Sequence, residues 1–113
     1  EVPKEKTIIA IPFYTRLWKE TADGEVSSES FSMTPAENIL KENEAEPKWD
    51  EEYGSYYAEY EKDGIVYRMW QEEDKSIEEK LKVIYDADVA GIAAWKLGLE
   101  KESTWNVITR YFE

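Results

Sequence analysis

The side chains here that could do acid–base chemistry are Asp, Glu, Tyr and Lys, because the sequence contains neither cysteine nor histidine. Thiolate nucleophiles, His-based triads and Cys- or His-ligated metal sites are therefore excluded. Two acid-rich strings could seed a cation site or a general-acid pair: "WDEEY" (Trp49 to Tyr53) and "QEEDK" (Gln71 to Lys75). Neither has the alternating oxygen-ligand spacing of a calcium loop or the glycine such a loop needs. Glu72, Glu73 and Asp74, just ahead of Ser76, read instead as complements to the positive end of a helix. No catalytic residue, metal ligand or cofactor is assigned to this chain.

Binding chemistry is better represented. "PFYTRLW" (Pro12 to Trp18) emits Tyr14, Arg16 and Trp18 in alternation from the end of an apolar run. "AGIAAWKLGLE" (Ala90 to Glu100) ends another such run on Trp95. In α/β folds the carboxyl ends of parallel strands face the ligand. The plain structural alternative is that Tyr14 caps a core and Arg16 pairs with one of many acids. A core Trp, however, more often lies mid-strand among bulky neighbours than after a run of small residues.

Those side chains need a scaffold. "TIIAIPF" (Thr7 to Phe13) and "VAGIAAW" (Val89 to Trp95) are too short for helices and predict strands buried on both faces, as in parallel sheets. Between them, "GEVSSESFSM" is polar and turn-rich. "TPAE" then predicts a helix to about Asn43, with Thr34 as N-cap, Pro35 at the first position and Glu37 closing a capping box. Asp63-Gly64 marks a hairpin, with Tyr56, Ala58 and Tyr60 sharing one face of its first strand and Ile65, Tyr67 and Met69 one face of its second. A further helix is capped by Ser76 with Glu79, and its stripe is Ile77, Leu81, Ile84 and Tyr85. The last helix, roughly Ser103 to Phe112, packs through Trp105, Ile108, Tyr111 and Phe112. Two strands that each want both faces covered do not make a sheet alone. The order therefore reads as the C-terminal end of a βα-repeat protein whose earlier strands are missing.

Composition narrows the ligand. The formal charge is −12, from 26 acids against 14 bases, so nucleic acid and anionic membrane are poor partners. Eight Tyr and five Trp suit neutral ligands such as sugars, whose C–H faces stack on rings. The alternative is that the charge serves solubility alone.

"IIAIPFYTRLW", an inserted α+β segment and "SIEEKLKVIYDADVAGIAAWKLG", in that order, resemble the C-terminal part of glycoside hydrolase family 18, the chitinase-like (β/α)8 barrels. Within it, the resemblance is to bacterial cell-wall and spore-cortex glycosidases, and it covers nearly the whole chain. It implies an α/β fold: a C-terminal fragment, the last two βα units, of a (β/α)8 TIM barrel with an inserted α+β chitinase insertion domain. On that pattern 1–113 is one partial domain. Residues 1–18 are the seventh barrel strand and rim, 19–70 the insertion domain, and 71–113 a helix, the eighth strand and the last helix. The resemblance further implies that Trp95 stacks under the sugar at the cleavage point and that Tyr14 and Arg16 lie near the same subsite. Thr15 stands where many members have Gly.

The family's acidic motif, D-x-x-D-x-D-x-E, does not occur here, nor does its sixth-strand Tyr-Asp pair. In the family the substrate's own N-acetyl oxygen is the nucleophile and the motif's glutamic acid protonates the leaving group. The resemblance thus implies a full-length parent that is a retaining, substrate-assisted hydrolase of N-acetylglucosamine polymers, chitin or peptidoglycan. It implies an extracellular, cell-envelope or spore-coat location in a bacterium. This chain alone is expected to be inactive and to self-associate, by exchange of strands or helices between copies. Two other readings stay open. One is a non-catalytic chitinase-like lectin holding glycan through Trp95, Tyr14, Tyr57 and Trp70; the other is an interaction domain unrelated to sugars.

Overall fold

The two apolar runs at opposite ends of the chain end up side by side. The computed structural model describes residues 1–112. After a 3-10 turn at Lys4–Lys6 the chain forms β1 (Ile8–Pro12), β2 (Tyr14–Glu20), β3 (Val26–Ser32), α1 (Met33–Glu42), β4 (Lys48–Asp50), β5 (Ser55–Lys62), β6 (Ile65–Gln71), α2 (Asp74–Asp86), β7 (Gly91–Trp95) and α3 (Glu102–Ile108). β1 and β7 pair in parallel, from Ile8 opposite Gly91 to Pro12 opposite Trp95. The remaining strands make an antiparallel sheet in the order β3-β2-β6-β5-β4. The chain is thus mixed α/β, and β2 to β6 is its inserted antiparallel part.

Each region has its own core. Ile11 and Phe13 of the parallel side pack with Met33, with Ile77, Leu81 and Ile84 of α2, and with Val107 and Ile108 of α3. Ala36 and Leu40 of α1 pack on Ala58 and Met69, which are directly opposed on β5 and β6. The hairpin turn is where the sequence places it. Asp63 and Gly64 both take positive φ, 54° and 76°, as a two-residue turn of this hand requires. Tyr60 and Tyr67 stack across the strands with ring centroids 4.7 Å apart.

The structure differs from the sequence reading in several places. β1 and β7 are covered on one face only. Ile9, Ile11, Ile92 and Ala94 turn toward the helices, whereas Ile8 (63% exposed), Ala10, Ala93 and Trp95 lie on a face that nothing among the described residues covers. α1 starts earlier than expected, with Ser32 as N-cap, so Thr34 is not the cap. Pro35 sits inside the first turn, where its missing N–H costs nothing. Glu37 leaves the expected box and pairs instead with Lys101 at 3.0 Å. α2 also starts early, with Glu73 as N-cap and Ser76 as its third residue. Ser76 N donates to Glu73 Oε1 and Glu73 N to Ser76 Oγ, both at 2.9 Å. The box is therefore the reverse of Ser76 with Glu79, and Glu79 pairs with Lys82. "GEVSSESFSM" contains a strand, β3, rather than only turns. Tyr85, expected inward, is largely exposed, and Trp105, also expected inward, is half-exposed.

Candidate functional site

Trp95 ends β7, opposite Pro12 at the end of β1, and the Phe13 amide donates to the Trp95 carbonyl at 2.8 Å. The next residue, Tyr14, opens β2. The parallel pair and the antiparallel sheet therefore meet at the ends of β1 and β7, the position at which α/β sheets hold ligands. Trp95 is 67% exposed, although it follows a run of small residues that could have let it pack. Its peptide bond to Lys96 is cis.

Along β2 successive side chains point to opposite faces. Thr15 is buried, and its hydroxyl accepts from the Glu72 amide at 2.8 Å. Tyr14, Arg16, Trp18 and Glu20 share the other face. That face is left open because α1 covers the opposite side of the sheet. Arg16 does not pair with an acid. Its Nη2 and Nε donate to Ser28 Oγ at 2.8 and 3.1 Å, and its Nη1 to Ser30 Oγ at 2.8 Å. Among the described residues no carboxylate lies within ion-pair reach of this guanidinium, while Arg68 and Arg110 both have Glu partners. Three of five N–H donors are engaged, which fixes the group and leaves two for a ligand. The guanidinium carbon also lies 6.0 Å from the Trp18 ring centroid.

Next to β2 on the same face runs β6, with Trp70 opposite Arg16 and Arg68 opposite Trp18. Tyr57 of β5 is opposite Trp70, their rings 4.7 Å apart, and Tyr53 meets Trp70 edge-on at 5.0 Å. Arg68 donates to Glu20 and reaches Glu59 at 3.4 Å. The bond from the Tyr57 hydroxyl holds the Glu59 carboxyl below its ordinary range, and the bond to Glu20 raises Arg68. Both acids, Glu20 and Glu59, thus share one cation, Arg68.

The acid strings behave differently from this face. Among the described residues no cluster of acids is suited to hold a metal ion. Asp50 Oδ1 accepts from the amides of Glu52 and Tyr53, closing a turn. Glu72 is buried, and burial raises its carboxyl above the ordinary range even though Lys80 at 2.7 Å and Ser76 at 2.9 Å favour its charged form. Ser76 and Lys80 are one helical turn apart, which explains why α2 begins at Asp74: that start turns both toward Glu72. The cavity of about 420 Å³ between β1 and α2, walled by Ile9, Ile11, Val83 and Ile84, marks the unpaired edge of β1. It does not include Trp95, Tyr14 or Arg16, so exposure of polar and aromatic side chains is the better guide to a site here.

The sequence reading had named Trp95, Tyr14 and Arg16, and β1, β7 and β2 bring their backbones to one junction. It did not name Ser28 and Ser30 as the holders of Arg16, or Arg68 as the partner of Glu20. The signal was present in the serines at 28, 30 and 32, which alternate as a strand does. It becomes readable only once β3 is known to lie beside β2, with Ser30 opposite Arg16.

Comparison with known proteins identifies the family. The model of the glycosyl hydrolases family 18 matches residues 1–100. The chain belongs to family 18. The glycosylase YvbX of Bacillus subtilis is 26% identical over 111 residues, 97% of this chain and 32% of that protein. The crystal structure of the spore cortex-lytic enzyme SleL of Bacillus megaterium superposes with a TM-score of 0.87 at 24% identity, over 100% of this chain and 27% of that one. A plant class V chitinase mutant from Cycas revoluta, solved in complex with (GlcNAc)3, gives 0.74 at 17% identity, over 99% of this chain and 35% of that one. The chain thus spans about a third of the length of these relatives. Among the described residues no helix is long and apolar enough to cross a membrane.

Proposed function

We propose that this chain supplies the last two strands of a (β/α)8 barrel, β1 and β7, and one wall of a groove that holds N-acetylglucosamine polymers. In this reading the antiparallel sheet with α1 is the chitinase insertion domain, the part expected at 19–70. Its strands straddle both expected cuts, since β2 runs from Tyr14 to Glu20 and β6 ends at Gln71. Trp95 is the floor of the −1 subsite, and Tyr14 and Arg16 contact the same sugar from the side. The parent is a retaining, substrate-assisted hydrolase of chitin or peptidoglycan, working outside the cell or in the envelope or spore coat of a bacterium. The names of its relatives, a spore cortex-lytic enzyme and a chitinase solved with (GlcNAc)3, support that substrate class.

The observation that carries the reading is Trp95, an indole two-thirds in solvent at the carboxyl end of a parallel strand. Exposing so much apolar ring costs free energy that burial would have recovered. A sugar's C–H face recovers it. Leaving-group protonation requires the acid of the motif that this chain lacks, so the chain binds without cleaving. The open face and unpaired edge of the β1–β7 pair make it associate with copies of itself by exchange of strands or helices.

Calorimetric titration with N,N′-diacetylchitobiose and a reducing-end assay test this reading. Expected are a saturable heat, a loss of at least about tenfold in affinity for Trp95→Ala, and no release of reducing ends above a blank. No heat with either chitobiose or a muropeptide disaccharide would end it. Light scattering checks self-association, and a monodisperse monomer at high concentration would remove that part.

A further inference from the structure

The open face of the antiparallel sheet carries two half-exposed indoles that the proposed −1 subsite does not use. Trp18 is 43% and Trp70 40% exposed, on adjacent strands β2 and β6. They are diagonal neighbours, since Arg16 is opposite Trp70 and Trp18 opposite Arg68, a relation that spans about 7–8 Å. Between them opens a cavity of about 400 Å³ lined by Trp18, Lys19, Glu20, Val26, Tyr57, Arg68 and Trp70. That is at the small end of the volume range of ligand sites.

From these features we infer a second sugar seat on this face, formed by Trp18 and Trp70 and rimmed by Glu20 and Arg68, which takes a distal unit of the same N-acetylglucosamine chain. The inference rests on the reading of Trp95 as the −1 floor and extends it along β2, where Tyr14, Arg16 and Trp18 follow one another on one face. The chemistry of the rim selects the occupant. Glu20 and Glu59 are both held by Arg68, and Glu59 also accepts from the Tyr57 hydroxyl at 2.7 Å. A ligand there meets flat apolar rings edged by donors and acceptors, one guanidinium shared between two carboxylates. A pyranose offers the complement, with C–H faces for the indoles and hydroxyls for the rim. A nucleotide would also stack, but it would bring phosphates to a chain of charge −12. The rings are placed in advance: Tyr53 and Tyr57 brace Trp70, and Arg16 lies over Trp18. Little side-chain freedom is then lost on binding.

The test is the dependence of affinity on oligomer length. The chain is titrated calorimetrically with chitobiose and with chitohexaose, as wild type, Trp95→Ala, Trp18→Ala and Trp70→Leu. The leucine keeps apolar bulk against Tyr53 and Tyr57 while removing the ring face, and far-UV circular dichroism reports the fold of each variant. Expected is a hexaose affinity that falls about fivefold to tenfold in Trp18→Ala and in Trp70→Leu, with chitobiose binding unchanged. Hexaose affinity within twofold of wild type in both variants, while Trp95→Ala loses it, overturns the second seat and leaves the −1 reading standing. Hexaose binding that depends on Trp18 and Trp70 but not on Trp95 keeps this seat and overturns the −1 reading. No binding at either length overturns both.

Discussion

In the antiparallel sheet three of five strands have a neighbour on each side, and α1 fills one face with Ala36 and Leu40. Its two edges are of kinds that resist further pairing: β4 is three residues long, and β3 alternates serine with acid and ring. In the parallel pair, among the described residues, each strand has one neighbour and one bare edge, and the face carrying Ile8, Ala10, Ala93 and Trp95 has no cover. Val83 of α2 is open to solvent as well. The same chain thus holds one region that closes on itself and one that has the surfaces of an element made to sit between others. The proposed site lies where they meet, at Phe13 and Tyr14, so a ligand in it would couple a self-sufficient part to a dependent one.

The comparison can be broken most directly at Phe13. Its ring is fully buried in the core that joins β1 to α2 and α3, edge-on to Trp105 at 6.0 Å. Phe13→Ala is expected to cost about 3–5 kcal/mol. If the regions differ as described, that loss falls on β1 and β7, whose amides exchange quickly while those of β5 and β6 stay protected. Hydrogen exchange read strand by strand checks this. Loss of protection in both regions together would mean one cooperative unit and would end the contrast.

A smaller effect is expected at Glu72, the carboxylate buried between the two regions. Its burial favours the neutral form, so the folded chain keeps a proton that the unfolded chain releases near the ordinary value of 4.5. The stability this gives is fully present below 4.5 and is lost as pH rises through the folded value. Lys80→Met removes the partner that limits this loss and pushes the carboxyl higher still. The variant is expected to be less stable than wild type by about 2–3 kcal/mol at neutral pH, with the gap narrowing as pH falls toward 4.5. Urea midpoints across that range measure it, and a gap independent of pH would show that Lys80 acts through packing instead.

How much of this was legible in the sequence follows the same division. The apolar runs of β1 and β7, the Asp63-Gly64 hairpin and the Ile77–Leu81–Ile84 stripe carry strong local signals, and each sits where those signals put it. β3 carries only the alternating serines at 28, 30 and 32, because an edge strand of this kind has no apolar alternation to read. Its existence depends on β2 and on Arg16, whose guanidinium ties down Ser28 and Ser30. Both helix starts were misplaced for a related reason. Glu73 and Ser32 take the caps because Glu72 needs Ser76 and Lys80 turned toward it, and because the Met33 amide donates to the Leu99 carbonyl at 2.9 Å. These are contacts between distant parts of the chain, and spacing alone does not announce them.

The hairpin offers a milder probe of the self-contained region. Gly64 has φ of 76° and nothing near the place a Cβ would occupy, so Gly64→Ala carries backbone strain without a clash. The expected cost is about 1–2 kcal/mol. It should appear as faster exchange in β5 and β6 with β1 and β7 unchanged, the mirror image of the Phe13 result. Exchange that quickens only in β1 and β7 would contradict it.

The smallest effect on stability is expected at Trp95, and its smallness is what makes it informative. A core indole replaced by alanine costs about 3–5 kcal/mol. An exposed side chain with no partner changes stability by less than about 0.5 kcal/mol, and with 67% of its surface in solvent Trp95 is closer to the second case. Trp95→Ala should therefore leave the urea midpoint and the exchange pattern of both regions almost unmoved while removing the heat of chitobiose binding. Stability kept and binding lost together would support the reading of this ring as a seat for a ligand. If the substitution instead unfolds the parallel pair, the indole is a structural prop, and the argument for a sugar seat at the junction of the two regions loses its support.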